Sequence, residues 1–194
     1  MFKIIAIKPA YQPQEQPEPV FDIIRELSAQ KSNNYDSSYK LYIKRKAKDH
    51  IFEHIGWKNS TSNNTVEQGG LLVGNVFYDP NQNFTYGIVE AAFAAKYAIG
   101  SSAHLRMDHN TWKYMYDELD YFLDLYPELN FQIIGWYHTH PNQLPVFMSS
   151  IDKDTQQSVF PNHWQFAVVL NPHHTIWRAY HGAECENCMG HFLK

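Results

Sequence analysis

The sequence predicts an α/β fold, a mixed β-sheet with helices on its faces, on three observations. Two long apolar runs, one opening at Gly69-Gly70 and closing at Asp79-Pro80 and the other over residues 84–93, read as buried strands joined by a turn. Trp112, Met115, Tyr116, Leu119, Phe122, Leu123 and Tyr126 recur at helical spacing and stop before Pro127. Strand patterns then appear at residues 131–137, 165–170 and 175–180, with a helix expected from about Ser150 between them. Strands and helices interleave, and there is no internal repeat.

The elements before these runs are shorter. Residues 2–8 are rich in isoleucine and predict a first strand. Residues 9–19 hold four prolines and read as a stiff extended linker. After Pro19, apolar Val20, Ile23, Ile24 and Leu27 fall at i, i+3, i+4 and i+7, which predicts a short amphipathic helix. Polar residues 32–38 close this unit, so an N-terminal extension, 1–38, is expected ahead of a main domain, 39–194. The extension is expected to serve as an added sheet edge or as a docking surface. Leu41 and Ile43 alternate as in a strand, Ile51 and Ile55 sit four apart as in a helix, and residues 59–65 form a polar loop.

With 194 residues, 44% of them hydrophobic, the chain can bury a core of its own. A net charge of -4 and the absence of any run of five like charges argue against a nucleic-acid partner. The cluster Lys44-Arg45-Lys46 with Lys48 is answered by Asp49 and reads as a solvated face. No stretch approaches the ~20 apolar residues of a membrane span, and the N-terminus lacks the apolar core of a signal peptide. Two cysteines near the C-terminus do not make a disulfide framework, so a reducing, cytoplasmic setting is expected.

The chemistry concentrates in residues 135–152, GWYHTHPNQLPVFMSSID. At the end of a strand, His138 and His140 project from one side with Cα atoms roughly 7 Å apart, close enough to converge on one ion, while Thr139 points away. Pro141 ends the ladder and sends the chain into a loop. Ser149 with Asp152 three residues on is a helix-capping pattern, and a helix N-terminus is also where a carboxylate is held ionised. Two imidazoles and one carboxylate are the complement of a catalytic zinc site with one position left for water. Amide hydrolysis also needs a proton-transferring group, for which Glu67 and Glu90 both qualify on position.

The order Glu67-Gln68-Gly69-Gly70-Leu71-Leu72-Val73-Gly74, then His138-Thr139-His140-Pro141, seven residues, and Ser149-Ser150-Ile151-Asp152 resembles the full motif of the JAMM (MPN+) zinc metalloproteases, the JAB domain family. GWYHTHP and FMSSID also resemble the eukaryotic members that trim ubiquitin chains. The resemblance spans roughly residues 39–181. It implies a curved mixed sheet like that of the cytidine deaminases, with His138, His140 and Asp152 as zinc ligands and Glu67, rather than Glu90, as general acid/base. Ser149 would be the donor to the developing oxyanion, with Ser150 and Thr139 structural. A zinc deaminase itself would need H-x-E and P-C-x-x-C, whereas His138 is followed by Thr-His and no proline precedes Cys185.

Two expectations lie outside that motif. Cys185, Cys188 and His191 have zinc-ligand types at knuckle-like spacing in what reads as a C-terminal tail, so a second, structural zinc is a candidate there, with His181, His173 or His174 as fourth ligand. The resemblance further implies an isopeptidase or peptidase that cuts after the C-terminus of a ubiquitin-like modifier. The expected substrates and partners are a ubiquitin-like protein or its conjugates, with the activating and conjugating enzymes of its pathway. The compact form is similar to bacterial members associated with such systems, including antiviral defence. The competing readings are a catalytically silent MPN scaffold and a processing peptidase for a sulfur-carrier-like protein.

Overall fold

The structure is a computed structural model that describes residues 11–58, 66–101, 104–106 and 108–194. The expected strand at residues 2–8 and the loop at 59–65 lie outside the described residues. The chain forms β1 (Gln14–Glu15), β2 (Asp36–Ile43), α1 (Arg45–Ile55), β3 (Gly69–Asp79), β4 (Phe84–Ala94) and the small hairpin β5 (Ile99–Ser101) with β6 (His104–Arg106). Then come α2 (His109–Leu125), β7 (Gln132–Thr139), α3 (Ser150–Val159), β8 (Phe166–Asn171), β9 (Ile176–His181) and β10 (Glu186–Phe192). Among the described residues this is the α/β fold expected, with a mixed sheet and three α-helices.

The main sheet runs β1-β3-β4-β2-β10-β9-β8-β7, and β7 returns to pair with β3, so the sheet closes on itself. Closure is possible because β3 is long. Its first half, residues 69–74, pairs antiparallel with β7, while Phe77 and Tyr78 on the same edge take β1 in parallel. Alternation along the strands then feeds two cores. On β8, Phe166, Val168 and Leu170 enter the core beneath α1, and Ala167 and Val169 enter the core beneath α2 and α3. β3 is therefore buried on both faces, as its apolar run required.

Helix α1 buries Ala47, Ile51 and Ile55, a spacing of four that makes one stripe, and stops at Gly56 in the left-handed conformation. Helix α2 starts before Trp112 because Asp108 caps it, accepting from Thr111 N. Its deepest line is Thr111, Met115 and Leu119; Tyr116 and Tyr126, expected in the core stripe, are exposed. Among the described residues no helix is long and apolar enough to cross a membrane.

Two segments differ from expectation. Residues 20–27 form no amphipathic α-helix: Val20 is fully exposed, and only Arg25–Leu27 make a 3-10 turn. The backbone there is taken up by the sheet instead, with Ile24 N donating to Phe192 O, Ala29 N to Gly190 O and Gln30 N to Trp177 O. Trp177 Nε1 also donates to Leu27 O at 2.7 Å, so the segment is a strap on β9 and β10. The C-terminal stretch is likewise no tail. β10 is an interior strand, parallel to β2 and antiparallel to β9, and its Phe192 and Cys188 are fully buried.

The close approach of strands at the head of β3 requires glycine. A Cβ on Gly70 would lie 2.1 Å from Phe93 O and 2.7 Å from the Tyr137 ring. Gly70→Ala is expected to lower stability by about 1–3 kcal/mol through overpacking, read as a reduced midpoint in urea unfolding with an unchanged slope.

Candidate metal centre

His138 is held from both sides. It is level with Gly69 of β3 and Val169 of β8, and its side chain is fully buried. His140 lies one residue past the strand, but its N donates to Leu170 O at 2.8 Å, which keeps it in line. The period of two that puts both imidazoles on one side turns Thr139 to the other. There Thr139 Oγ1 accepts from Gln68 N at 2.9 Å while Thr139 N donates to Gln68 O at 2.8 Å. Thr139 thereby fixes the residue next to Glu67, which is 4% exposed and places Oε1 3.9 Å from His140 Nε2.

The loop after Pro141 is shaped by a buried asparagine at the end of β8. Asn171 Nδ2 donates to Asn142 O and Leu144 O, and its Oδ1 accepts from His173 N and His174 N. The loop then presents Pro145 O to His140 Nδ1 at 2.7 Å. A carbonyl only accepts, so Nδ1 carries the hydrogen and Nε2 is left with its lone pair facing the site.

Helix α3 delivers the carboxylate. Ser149 and Asp152 form a complete capping box: Asp152 N donates to Ser149 Oγ at 3.3 Å, and Ser149 N donates to Asp152 Oδ2 at 2.8 Å. The helix is clamped to β7 by Trp136 Nε1, which donates to Gln156 Oε1 at 2.7 Å, and the Trp136 ring stacks on His138 with centroids 4.5 Å apart. Asp152 Oδ1 lies 3.2 Å from His138 Nε2, and Oδ2 lies 3.4 Å from His140 Nε2.

These atoms suit a metal ion. Ligand atoms on a tetrahedral ion with bonds of about 2.1 Å stand ~3.4 Å apart, close to the distances found. Despite its closeness to Asp152, neither ring nitrogen of His138 has a hydrogen-bond partner, although both are buried. The ring therefore aims beside the carboxylate rather than at it, and an unpartnered buried nitrogen is costly unless a cation takes its lone pair. His138, His140 and Asp152 would hold zinc on one nitrogen each and a carboxylate oxygen.

The charges are set apart by environment. Burial alone would raise the Asp152 pKa, but the His138 and His140 imidazoles beside it and the capping hydrogen bond with Ser149 hold it far below the usual carboxylate range. Burial, with the Asp152 charge adding to it and His140 opposing, pushes Glu67 up to about 7. Burial lowers His138, whereas contacts with Asp152 and Pro145 outweigh burial and raise His140. Glu90, the rival acid, is paired with Lys44 at 2.7 Å.

Cys185, Cys188 and His191 are not brought together, which corrects the expectation of a second zinc on them. Cys188 and His191 lie three apart on a strand and so face opposite ways: Cys188 enters the core under α1, and His191 Nδ1 meets Ser28 Oγ at 3.1 Å. Cys185 sits in the β9–β10 turn and belongs to the other core. Asn171, Gln156 and Trp136 position the site without having been singled out from the sequence. Nothing in an isolated strand-end asparagine signals such a role.

Residues 36–161, well over half of the chain and inclusive of Glu67, His138, His140, Ser149 and Asp152, match the family model described as JAB1/Mov34/MPN/PAD-1 ubiquitin protease. No curated protein gives a significant match to the chain.

Asn171→Ala is expected to release the loop that carries Pro145 and to weaken zinc binding about 10- to 100-fold, measured by competition with a chromophoric chelator; unchanged affinity would show the loop holds without it. A second expectation concerns the metal-free protein. With its folded-state pKa raised from 4.5 to about 7, Glu67 makes the folded state bind more protons than the unfolded chain, so its contribution to stability falls as pH rises through that window. The advantage of Glu67→Gln over wild type should therefore grow from about pH 5 to about pH 8 in urea unfolding under chelation, and a pH-independent difference would contradict the raised pKa.

Proposed function

The chain belongs to the JAB1/Mov34/MPN/PAD-1 family, and from that premise we propose that it is a zinc-dependent isopeptidase or peptidase. The bond cut would be the amide that follows the C-terminus of a ubiquitin-like modifier. The observation that carries this reading is the buried Glu67 carboxylate beside the His138, His140 and Asp152 group. When bound there, zinc supplies Lewis acidity toward a carbonyl and toward water.

The chain's own residues supply the rest. Glu67 Oε1 takes a proton from the attacking water and returns it to the leaving amine, and the burial that raises its pKa makes its carboxylate a better proton acceptor. Ser149 Oγ accepts from Asp152 N, so its hydroxyl hydrogen is directed elsewhere and can donate to the oxygen on which charge develops. Asp152 and the two imidazoles keep their positions through the capping box and the Pro145 contact. The β5–β6 hairpin reaches the same place, with Leu105 Cδ2 against Gly69. An extended substrate tail would lie beside the site along a strand edge such as this one.

A silent scaffold would be expected to have lost a member of the set, and here Glu67, His138, His140 and Asp152 are all present and adjacent. Glu67→Gln is expected to reduce cleavage of a ubiquitin-like conjugate by roughly 10²- to 10⁴-fold while zinc is retained. Ser149→Ala should cost roughly 10²- to 10³-fold in kcat with little change in KM. The measurements are gel-based cleavage and metal analysis of the same preparations, and full activity in Glu67→Gln would defeat the reading.

A further inference from the structure

At the far end of the strands from His138, a second imidazole faces two carboxylates. His181, at the end of β9, is level with Phe166, three residues and roughly 10 Å back along β8 from the level of His138. Its ring is 5% exposed and stacks on Tyr39 with centroids 3.5 Å apart and planes 12° from parallel. Nδ1 lies 3.2 Å from His163 O, and because a carbonyl only accepts, Nδ1 bears the hydrogen. Nε2 then points at Asp36 Oδ2, 3.1 Å away, and at Glu186 Oε2, 3.6 Å away.

The three side chains are held by the sheet. Glu186 and His181 are direct partners across β9 and β10, and Asp36, the first residue of β2, is the partner of Cys188 on β10. Ser38 N and Oγ both donate to Asp36 Oδ1, which leaves Oδ2 for the imidazole. No lysine or arginine among the described residues pairs with Asp36 or Glu186. Two negative charges and a nitrogen thus converge without a cation of the chain's own.

The metal centre already described is built the same way. His140 gives Nδ1 to a backbone carbonyl, Pro145 O, and turns Nε2 toward two carboxylates, those of Asp152 and Glu67. The spacings at His181 also match the ~3.4 Å between ligand atoms on an ion with bonds of about 2.1 Å. We propose that Asp36, His181 and Glu186 form a second divalent-metal site, which ties the start of β2 to the β9–β10 hairpin. One imidazole and two carboxylates suit zinc or another first-row divalent ion. Glu186, 62% exposed, leaves the site open to the waters that complete the coordination. The ion would hold the interior strand β10 to both of its neighbours at once.

The test is a titration of chelator-stripped protein with zinc chloride against a chromophoric competitor, with metal content measured after gel filtration. Two equivalents are expected. Glu186→Gln, at an exposed position that leaves the fold intact, should weaken one equivalent at least tenfold, His181→Gln should remove that one, and His138→Gln should remove the other. A single equivalent lost in His138→Gln and untouched by Glu186→Gln would overturn the second site and leave the peptidase reading standing, with His181 simply protonated between its two acids. A single equivalent lost with His181→Gln would do the reverse, and no binding at all would sink both.

Discussion

The register of β7 between β3 and β8 is the constraint on which the site depends. It sets His138 opposite Gly69, carries His140 one residue past the ladder onto Leu170 O, and turns Thr139 toward Gln68. A slip of one residue would exchange the two faces and take both imidazoles away from Asp152. The bulge that shifts register between Leu72 and Val73 lies within this ladder. It puts both Ile134 and Tyr137 into the core under α1, while Trp136 and His138 stay on the side of α2 and α3. The closed sheet thus holds the candidate site as well as the core, since it fixes the strand on both edges.

Asp152 joins the second part of the site to the first. Its Oδ2 closes the capping box of α3 and meets His140, so the geometry that starts the helix also places the carboxylate. The local and the functional uses of one residue are compatible because a helix N-terminus favours an ionised oxygen. Around it, burial and charge drive two carboxyl groups apart: Asp152 stays ionised, and Glu67 is held near the range where it can exchange a proton. Such divergence between neighbouring acids is a general mark of sites that move protons.

Much of this was legible in the sequence. The period-two spacing of His138 and His140, the cap at Ser149 and Asp152, and the glycine pair after Glu67 are local patterns whose geometry follows from strand and helix periods. The misreadings concern segments whose fate depends on distant partners. Val20, Ile23, Ile24 and Leu27 have helical spacing, yet the backbone from Ile24 to Gln30 bonds to β9 and β10 instead. Cys185, Cys188 and His191 have the spacing of a zinc knuckle, but a knuckle needs a loop, and pairing with β2 and β9 puts Cys188 and His191 in a strand and leaves Cys185 in the turn before it.

By itself, then, the sequence determined the element types of the α/β core and the placing of His138 and His140 on one side of a strand end and of Asp152 in a helix cap, because each is set by short-range periodicity. The tertiary structure decided what no local pattern encodes. It brought Glu67 to 3.9 Å from His140 while pairing Glu90 with Lys44, supplied Asn171, Gln156 and Trp136 as supports, and inserted β10 between β2 and β9. That insertion brings Asp36 to His181 across 145 residues of chain. Contacts of that separation are fixed by sheet order and burial, which arise only when the whole chain has closed.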